Sequence, residues 1–247
     1  MKSPAIHFSP RFLPFLLSAL FLAPFSSQAA TELIDFGGNG LRTIEDPNGL
    51  FWNNVTDSST LPFLPDLVDT TNMSTGISLQ VTSRFNSTNT NGTSGSSLYP
   101  SSATSDSLFG NTGTAFNGVA APNPTFTLSG LTVGVPYDFT FYASRIGTGG
   151  ERRTTDYFVS GSINGSTTLN VSENVNGSAS VFGITPTPEG QITITLMASA
   201  DNANTHKFIY LGVLEIQSVP EPTSAALCMG GLLVLLNQRR RRALPAA

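Results

Sequence analysis

Cysteine, histidine and tryptophan are nearly missing from this chain of 247 residues, and each shortage excludes a kind of site. Cys228 is the only cysteine, so the rest of the chain offers no internal disulfide, thiol nucleophile or cysteine-bound metal. Of the two histidines, His7 lies in an N-terminal apolar region and leaves His206 alone. A metal site with two histidine ligands is therefore excluded from the main body of the chain.

Charge is also scarce, at 11% of residues, and it is unevenly distributed. Residues 31–218 contain six basic and fifteen acidic side chains, which gives this part a net charge of −9 against −4 for the whole chain. An acidic body without a basic patch argues against nucleic acid and against anionic membrane surfaces as partners.

The N-terminal segment, residues 1–29, has the pattern of a secretory signal peptide. A weakly basic start is followed by an apolar run over residues 12–25, and Ser27 and Ala29 supply the small residues that signal peptidase requires. Several prolines in and beside the run disfavour the alternative of a buried helix. We therefore expect an exported protein.

The C-terminal segment, residues 219–247, has three parts. It begins with Val219, Pro220, Glu221 and Pro222, continues with uncharged residues 224–236, and ends with Arg239, Arg240, Arg241 and Arg242. As a helix, the apolar part is about 20 Å long, against about 30 Å for a bilayer core. The arginines favour the cytoplasmic side, which leaves the body outside.

This order of Pro-Glu-Pro, short apolar helix and arginine cluster resembles the PEP-CTERM sorting signal. The resemblance implies that an exosortase-type membrane protease cuts the tail after transient anchoring in the inner membrane. It also implies delivery to the cell surface or extracellular matrix of a Gram-negative-type bacterium. The alternative is a protein that keeps its tail as a membrane anchor.

The body, residues 30–218, alternates apolar and polar residues in the manner of β-strands. The clearest segments are "GISLQVTSRF", "PYDFTFYASR", "GQITITLMAS" and "HKFIYLGVLEIQ", the last of which is predicted to be buried on both faces. We predict eight to ten strands in an all-β, antiparallel β-sandwich of the jelly-roll type.

Residues 86–118 depart from this pattern, since 24 of these 33 residues are Ser, Thr, Asn or Gly. We predict a long polar loop or partly disordered insert, because it has little apolar surface to offset the entropy of ordering. Tyr99, Leu108, Phe109 and Phe116 are expected to hold it against the sandwich.

Two further resemblances concern the body. The segment "FTLSGLTVGVPYDFTFYAS" resembles the Gly-Leu…Gly…Tyr…Phe pattern of galactose-binding-like jelly rolls, which supports the predicted fold. The segments "YPSSATSDSLFG" and "SRIGTGGERRTTDYFVSG" resemble uncharacterised domains found with such sorting tails, and this resemblance implies no activity.

The densest charge cluster is Glu151, Arg152, Arg153 and Asp156, with Arg145 nearby across a predicted turn. One interpretation is a surface network of ion pairs, in which Asp106 pairs with one of the arginines. The other interpretation is a binding site, because guanidinium groups recognise acidic groups and sugar hydroxyls.

Aromatic side chains offer a second candidate for binding, because carbohydrate-binding modules stack sugars on exposed rings. Trp52 and Tyr142 are the candidates, and the alternative for Trp52 is a place in the core. We predict no cofactor. A structural calcium ion remains open, but no Asp-x-Asn-x-Asp string identifies its ligands.

The leading hypothesis is an exported, non-enzymatic component of the cell surface or extracellular matrix with a structural or adhesive role. The first alternative is a carbohydrate-binding module for exopolysaccharide or other glycans. The second alternative, a glycoside or ester hydrolase, requires two carboxylates about 5–10 Å apart in a cleft, or His206 beside a serine.

Overall fold

The alternating segments form strands, and the all-β, antiparallel prediction is confirmed. A computed structural model describes residues 29–56, 58–120 and 123–219. The strands are β1 (Thr31–Phe36), β2 (Asn53–Val55), β3 (Phe63–Leu64), β4 (Ser78–Ser83), β5 (Ser87–Asn89), β6 (Ser107–Asn111), β7 (Thr125–Ser129), β8 (Tyr137–Tyr142), β9 (Thr154–Ser160), β10 (Asn164–Asn170), β11 (Ala179–Ile184), β12 (Gln191–Ala198), β13 (Phe208–Leu211) and β14 (Val213–Ser218). One helical turn, α1 (Ser101–Thr104), precedes β6.

The strands form three sheets. The first sheet has the order β11-β8-β14-β1-β2, and the second has the order β10-β9-β12-β7-β4-β3. A small sheet has the order β13-β6-β5. Among these strand pairs, β1 and β2 are parallel and the others are antiparallel.

The two large sheets pack face to face, because each strand turns alternate apolar residues inward. Phe36 of the first sheet lies 5.3 Å from Phe126 of the second, measured between ring centroids. Phe141 of the first sheet and Tyr157 of the second stack nearly parallel, with their centroids 4.4 Å apart. All four rings are fully buried and belong to one apolar cluster. The core therefore lies between the two large sheets.

The segment "HKFIYLGVLEIQ" differs from the prediction of one strand. It forms β13 in the small sheet and then β14 in the first sheet, with Gly212 between them. The amide of Gly212 donates to the carbonyl of Tyr142, and its carbonyl accepts from Phe36. Residues 208–214 are all buried, as predicted, but the burial comes from a chain that passes between two sheets.

The polar segment 86–118 is more structured than predicted. It contains β5, α1 and β6, because its polar side chains take over hydrogen bonds that the sheets leave open. The amide of Asn89, for example, donates to the hydroxyl of Ser107 at 3.0 Å and to the carbonyl of Ser144 at 3.1 Å. Leu108 and Phe109 of the segment are buried in the core cluster of the body, as expected.

The ends of the body meet at the first sheet. Thr31 of β1 pairs with Gln217 of β14, and the amide of Ala30 donates to the hydroxyl of Ser218. The signal segment 1–28, the motif residues 220–222, the apolar run 224–236 and the arginine cluster 239–242 lie outside the described residues. Within 29–56, 58–120 and 123–219, no helix is long and apolar enough to cross a membrane.

Candidate ligand-binding pocket

A pocket of about 400 Å³ lies beside the small sheet, where the polar segment folds against the body. Strands β5, β6 and β13 supply one part of its wall, and the residues that follow β8 and precede β9 supply the charged part. The lining residues that matter for its chemistry are Asn89, Asn91, Phe109, Phe116, Arg145, Arg153, Phe208 and Tyr210. The pocket thus combines aromatic rings, amides and two guanidinium groups.

Arg153 is fixed in this pocket by three neighbours. Its Nε donates to a carboxylate oxygen of Glu151 at 2.9 Å, and its Nη1 donates to the Tyr210 hydroxyl at 2.7 Å. Its guanidinium carbon lies 5.2 Å from the centroid of the Phe208 ring, within the range of a cation–π contact. The Arg153 side chain is 13% exposed, so it is a largely buried cation with a defined orientation.

The guanidinium of Arg145 has fewer contacts with neighbouring side chains than that of Arg153. Its backbone is fixed, since its amide donates to the carbonyl of Val171 and its carbonyl accepts from the amide of Glu173. Its Nη1 donates to the carbonyl of Ile146 at 3.0 Å, and its guanidinium also interacts with the Tyr210 hydroxyl. Within the described part of the chain Arg145 makes no ion pair. Its guanidinium therefore has donors to offer a ligand.

The titratable groups around the pocket respond to these two cations. Burial raises the pKa of the Tyr210 hydroxyl, and the charges of Arg153 and Arg145 partly offset that effect. Burial also acts on Glu151, but the hydrogen bonds from Asn204 and Arg153 outweigh it and leave the pKa of Glu151 below its ordinary value. At neutral pH the pocket is therefore lined by two cations and a neutral phenol, with the carboxylate of Glu151 held against Arg153.

Phenylalanine rings form the apolar wall. The Phe208 ring packs edge to face with Phe109 at 5.3 Å and with Phe116 at 5.0 Å, measured between centroids. Phe116 is half-buried, so part of its ring faces solvent. The opposite edge carries Asn89, whose Oδ1 accepts from the Asn91 amide at 3.2 Å. An amphipathic ligand would find an apolar surface and polar groups in one place.

The sequence predicted only part of this pocket. Of the charged candidates, Arg145 and Arg153 line it. Arg152 instead forms an ion pair with Asp201 at 2.5 Å, and Asp156 accepts a hydrogen bond from Thr168 of β10. The predicted pairing of Asp106 with an arginine is wrong, because its carboxylate accepts from the Gly38 amide. The missed residues lie on β13 and β5, where the sequence shows only core-like alternation or polar composition.

Trp52 and Tyr142 do not form an exposed platform. Trp52 is 5% exposed and Tyr142 is fully buried, and both belong to a small apolar cluster on the outer face of the first sheet. Tyr99 covers this cluster, with its ring edge to face with Trp52 at 5.9 Å and with Tyr142 at 5.6 Å. The core interpretation of Trp52 is therefore the correct one, because the polar segment folds over it.

A second cavity, of about 320 Å³, opens beside this outer cluster. Its polar lining includes Asp46, Asn48 and Glu215, and Glu215 accepts a hydrogen bond from the Tyr99 hydroxyl at 3.1 Å. The cavity carries two carboxylates and no cation among its lining residues. This lining charge is opposite in sign to that of the first pocket, which we call the arginine pocket because Arg145 and Arg153 line it.

The hydrolase requirement concerning His206 is not met by a serine. The Nδ1 of His206 lies 2.9 Å from the hydroxyl of Thr114 on the exposed surface, and its ring packs against Phe116 and Phe208. Over residues 29–56, 58–120 and 123–219 there is no group of three or more His, Cys, Asp or Glu side chains that could hold a metal ion.

Comparison with known proteins does not identify a function for this pocket. No family profile and no curated protein matches the chain. A crystal structure of the plant peptide RALF23 in complex with FER and LLG2 aligns with 77% of this chain and 49% of that chain, at 14% identity and a TM-score of 0.47. A crystal structure of the plant receptor-like kinase FER aligns with 78% of this chain and 43% of that chain, at 12% identity and a TM-score of 0.36. The chain thus spans less than half of either solved chain, and similarity at this level carries no argument about function.

Proposed function

We propose that this chain is an exported surface protein whose body binds an acidic glycan and catalyses no reaction. The observation that supports this proposal most directly is the pair of guanidinium groups, Arg145 and Arg153, in one pocket of a body with a net charge of −9. Two partly buried cations that line one pocket are unusual in a body with so few basic residues. The ion pair with Glu151 satisfies Arg153, whereas Arg145 forms no direct ion pair among the described residues, although its charge acts on the nearby carboxylate of Glu173.

The ligand group that suits this pocket is the carboxylate of a uronic acid residue. A guanidinium donates two parallel hydrogen bonds to a carboxylate, a geometry that a neutral hydroxyl cannot match. The Phe116 ring gives an apolar surface for the face of a sugar, and Asn91 gives an amide for its hydroxyls. An adhesive role in an extracellular matrix follows, because such matrices are rich in acidic polysaccharide.

Binding of defined oligosaccharides tests this function. Isothermal titration with a galacturonate oligomer is expected to show saturable binding that weakens as salt is added, whereas an uncharged glucose oligomer of equal length binds at least tenfold more weakly. Arg145→Gln is expected to lose at least tenfold in affinity for the acidic oligomer, which corresponds to about 1.4 kcal/mol.

Arg152→Gln is the matched control, since it removes the same charge from a side chain that pairs with Asp201 outside the pocket. Its affinity is expected to remain within about twofold of the unaltered protein, because a solvent-exposed pair contributes little at a distance. Equal binding of the acidic and neutral oligomers, or equal losses in the two variants, would contradict the proposal.

The proposal for export rests on the terminal segments. We propose that signal peptidase removes residues 1–29 and that an exosortase-type protease cuts near Val219–Pro222, so that the inner membrane holds the chain only transiently. We expect the intact mass of the protein recovered from the surface fraction of its host to correspond to a chain whose last residue lies between 218 and 222. A mass that retains Arg239–Arg242 would instead identify a permanently anchored protein, and it would leave the binding experiment unaffected.

A further inference from the structure

Two aspartates meet beneath the outer cluster, away from the arginine pocket. Asp35 lies in β1, on the same outward face as Leu33, and Asp106 directly precedes β6. Each residue is only 1% exposed. The backbone of Asp106 lies beside Gly212, since a Cβ on Gly212 would be 3.3 Å from the Asp106 carbonyl oxygen. The next residue, Val213 of β14, pairs with Asp35. The two aspartates therefore lie in one region.

Each carboxylate is only half satisfied. One oxygen of Asp35 accepts from the Thr43 amide at 3.0 Å, and one oxygen of Asp106 accepts from the Gly38 amide at 2.5 Å. The other oxygen of each, Oδ1, is buried and has no hydrogen-bond partner among the described residues. A buried carboxylate oxygen without a partner is costly, and two of them in one region indicate a missing positive group.

The electrostatics agree with this geometry. Burial raises the pKa of Asp35 to about 7, and the charge of Asp106 adds to the effect. Burial raises the pKa of Asp106 to about 6. No lysine or arginine forms an ion pair with either residue in the described part of the chain. A bound cation would relieve both the burial of charge and the mutual repulsion.

The side chains around the two aspartates offer oxygen ligands. The hydroxyls of Thr43 and Ser102 lie 2.7 Å apart, and the side-chain oxygen of Asn54 accepts from the Thr43 amide at 3.1 Å, while its Nδ2 donates to the Thr43 carbonyl. Carboxylate and hydroxyl oxygens suit a hard divalent cation. Magnesium retains several waters, whereas calcium exchanges them for protein oxygens, so a dry site favours calcium.

We propose that Asp35 and Asp106 hold a calcium ion that joins the turn after β1 to the segment leading into β6. The backbone is adapted to this approach, because a Cβ on Gly37 would lie 2.5 Å from Oδ1 of Asp106. Asp106 is followed immediately by β6, which supplies Phe109 to the arginine pocket. The ion thereby fastens the polar segment to the first sheet and stabilises one wall of that pocket.

Calcium is the probe for the first test, with the unaltered protein. Thermal unfolding is monitored in calcium chloride, in magnesium chloride and in a chelator, and calcium binding is measured by isothermal titration. At a hundredfold excess over its dissociation constant, calcium is expected to raise the unfolding midpoint by about 5–10 °C. Magnesium is expected to raise it less, and an equal rise would overturn the assignment to calcium.

Substitutions locate the ion. Asp106→Asn and Asp35→Asn each remove one charge but keep an oxygen that accepts the backbone hydrogen bond, so both variants are expected to fold in the chelator. Each is expected to lose at least tenfold in calcium affinity. The control Asp156→Asn removes the same charge from the outer face of β9, where Thr168 donates to it, and is expected to bind calcium normally.

Two outcomes would overturn the proposal. One is a calcium response that Asp156→Asn diminishes as much as Asp106→Asn does. The other is no calcium response at all in the unaltered protein, whatever its dependence on pH. In that case a gain in midpoint from pH 7.5 to pH 5 that Asp35→Asn and Asp106→Asn both diminish would mean that the two aspartates share a proton instead. A failure of this site leaves the glycan experiment intact, since Arg145 is tested without reference to calcium.

Discussion

At the scale of single residues, this protein buries several of its few carboxylates. Asp35 and Asp106 are two examples, and Glu32 is a third. Glu32 lies in β1 opposite Ile216 and is 1% exposed. Its Oε2 is buried without a hydrogen-bond partner in the described part of the chain. Nothing in the alternation of "ELIDF" indicates this, since a carboxylate at a strand end usually faces solvent.

Glu32 makes stability depend on pH. Burial raises its pKa to about 7, and the charge of Asp69 adds to this. The folded state therefore keeps the proton between about pH 4.5 and 7, while the unfolded state releases it. The stability that protonation supports is fully present below pH 4.5 and is lost as the pH rises through 7. The full effect amounts to roughly 3 kcal/mol, most of which falls above pH 5.

We expect Glu32→Gln to remove this dependence. Urea denaturation at pH 5 and at pH 8 measures the free energy of unfolding for the variant and the unaltered protein. The variant should lose about 2–3 kcal/mol less than the unaltered protein over that interval. Glu189→Gln, a change at an exposed glutamate, should leave the interval unchanged. Parallel pH profiles for Glu32→Gln and the unaltered protein would refute the assignment.

At the scale of secondary-structure elements, alternation predicted the strands that have one buried face. β4, β8 and β12 coincide with predicted segments, because residues such as Leu79, Phe139 and Ile194 face the core while their neighbours face outward. The polar segment was misread for the opposite reason. Asn89 and Ser107 lie opposite each other in paired strands, and the Asn89 side chain also bonds Ser107 within the segment and the carbonyl of Ser144 in the body. A composition-based argument does not count those bonds.

The turn between β7 and β8 depends on close backbone approach at one glycine. Gly130 and Gly134 both have positive φ, 86° and 84°. A Cβ on Gly130 would lie 2.3 Å from the carbonyl oxygen of Gly76, whereas a Cβ on Gly134 would meet no atom within 4 Å. The two positions therefore share the backbone strain and differ in the steric clash.

We expect the two alanine substitutions to separate these effects. Gly134→Ala should cost about 1–2 kcal/mol, from positive φ alone. Gly130→Ala should cost at least about 2 kcal/mol more, because the chain at Gly76, beside the start of β4, must move away. Chemical denaturation measures both. Equal losses would show that the Gly76 contact is not closely packed.

At the scale of the whole molecule, the sequence predicted the charged residues of the arginine pocket but not the strands that complete it. Arg145 and Arg153 stand close in sequence, so a charge cluster was visible. Phe208 and Tyr210 join them because β13 pairs with β6 in the small sheet before the chain passes Gly212 into the first sheet. That crossing is a long-range feature, and β13 and β14 look like one strand in the sequence.

The last prediction concerns the segments outside the body. Because β1 and β14 pair at Thr31 and Gln217, the two ends of the body lie side by side. The pairing is complete at Val219, whose amide donates to the carbonyl of Pro136. Removing residues beyond Val219 therefore leaves every strand in place, as sorting by cleavage would require.

Residues 29–219 alone are thus expected to fold and to unfold cooperatively, with the circular dichroism of an all-β protein. Residues 29–212 are the matched control, because they lack β14, which lies between β8 and β1 in the first sheet. Without β14 those two neighbours lose their hydrogen-bonding partner, and Leu214 and Ile216 leave the core, so this shorter chain should not fold. If both chains fold, the first sheet is not essential to the body; if neither folds, the body depends on the tail, and cleavage near Val219 would not release a stable domain.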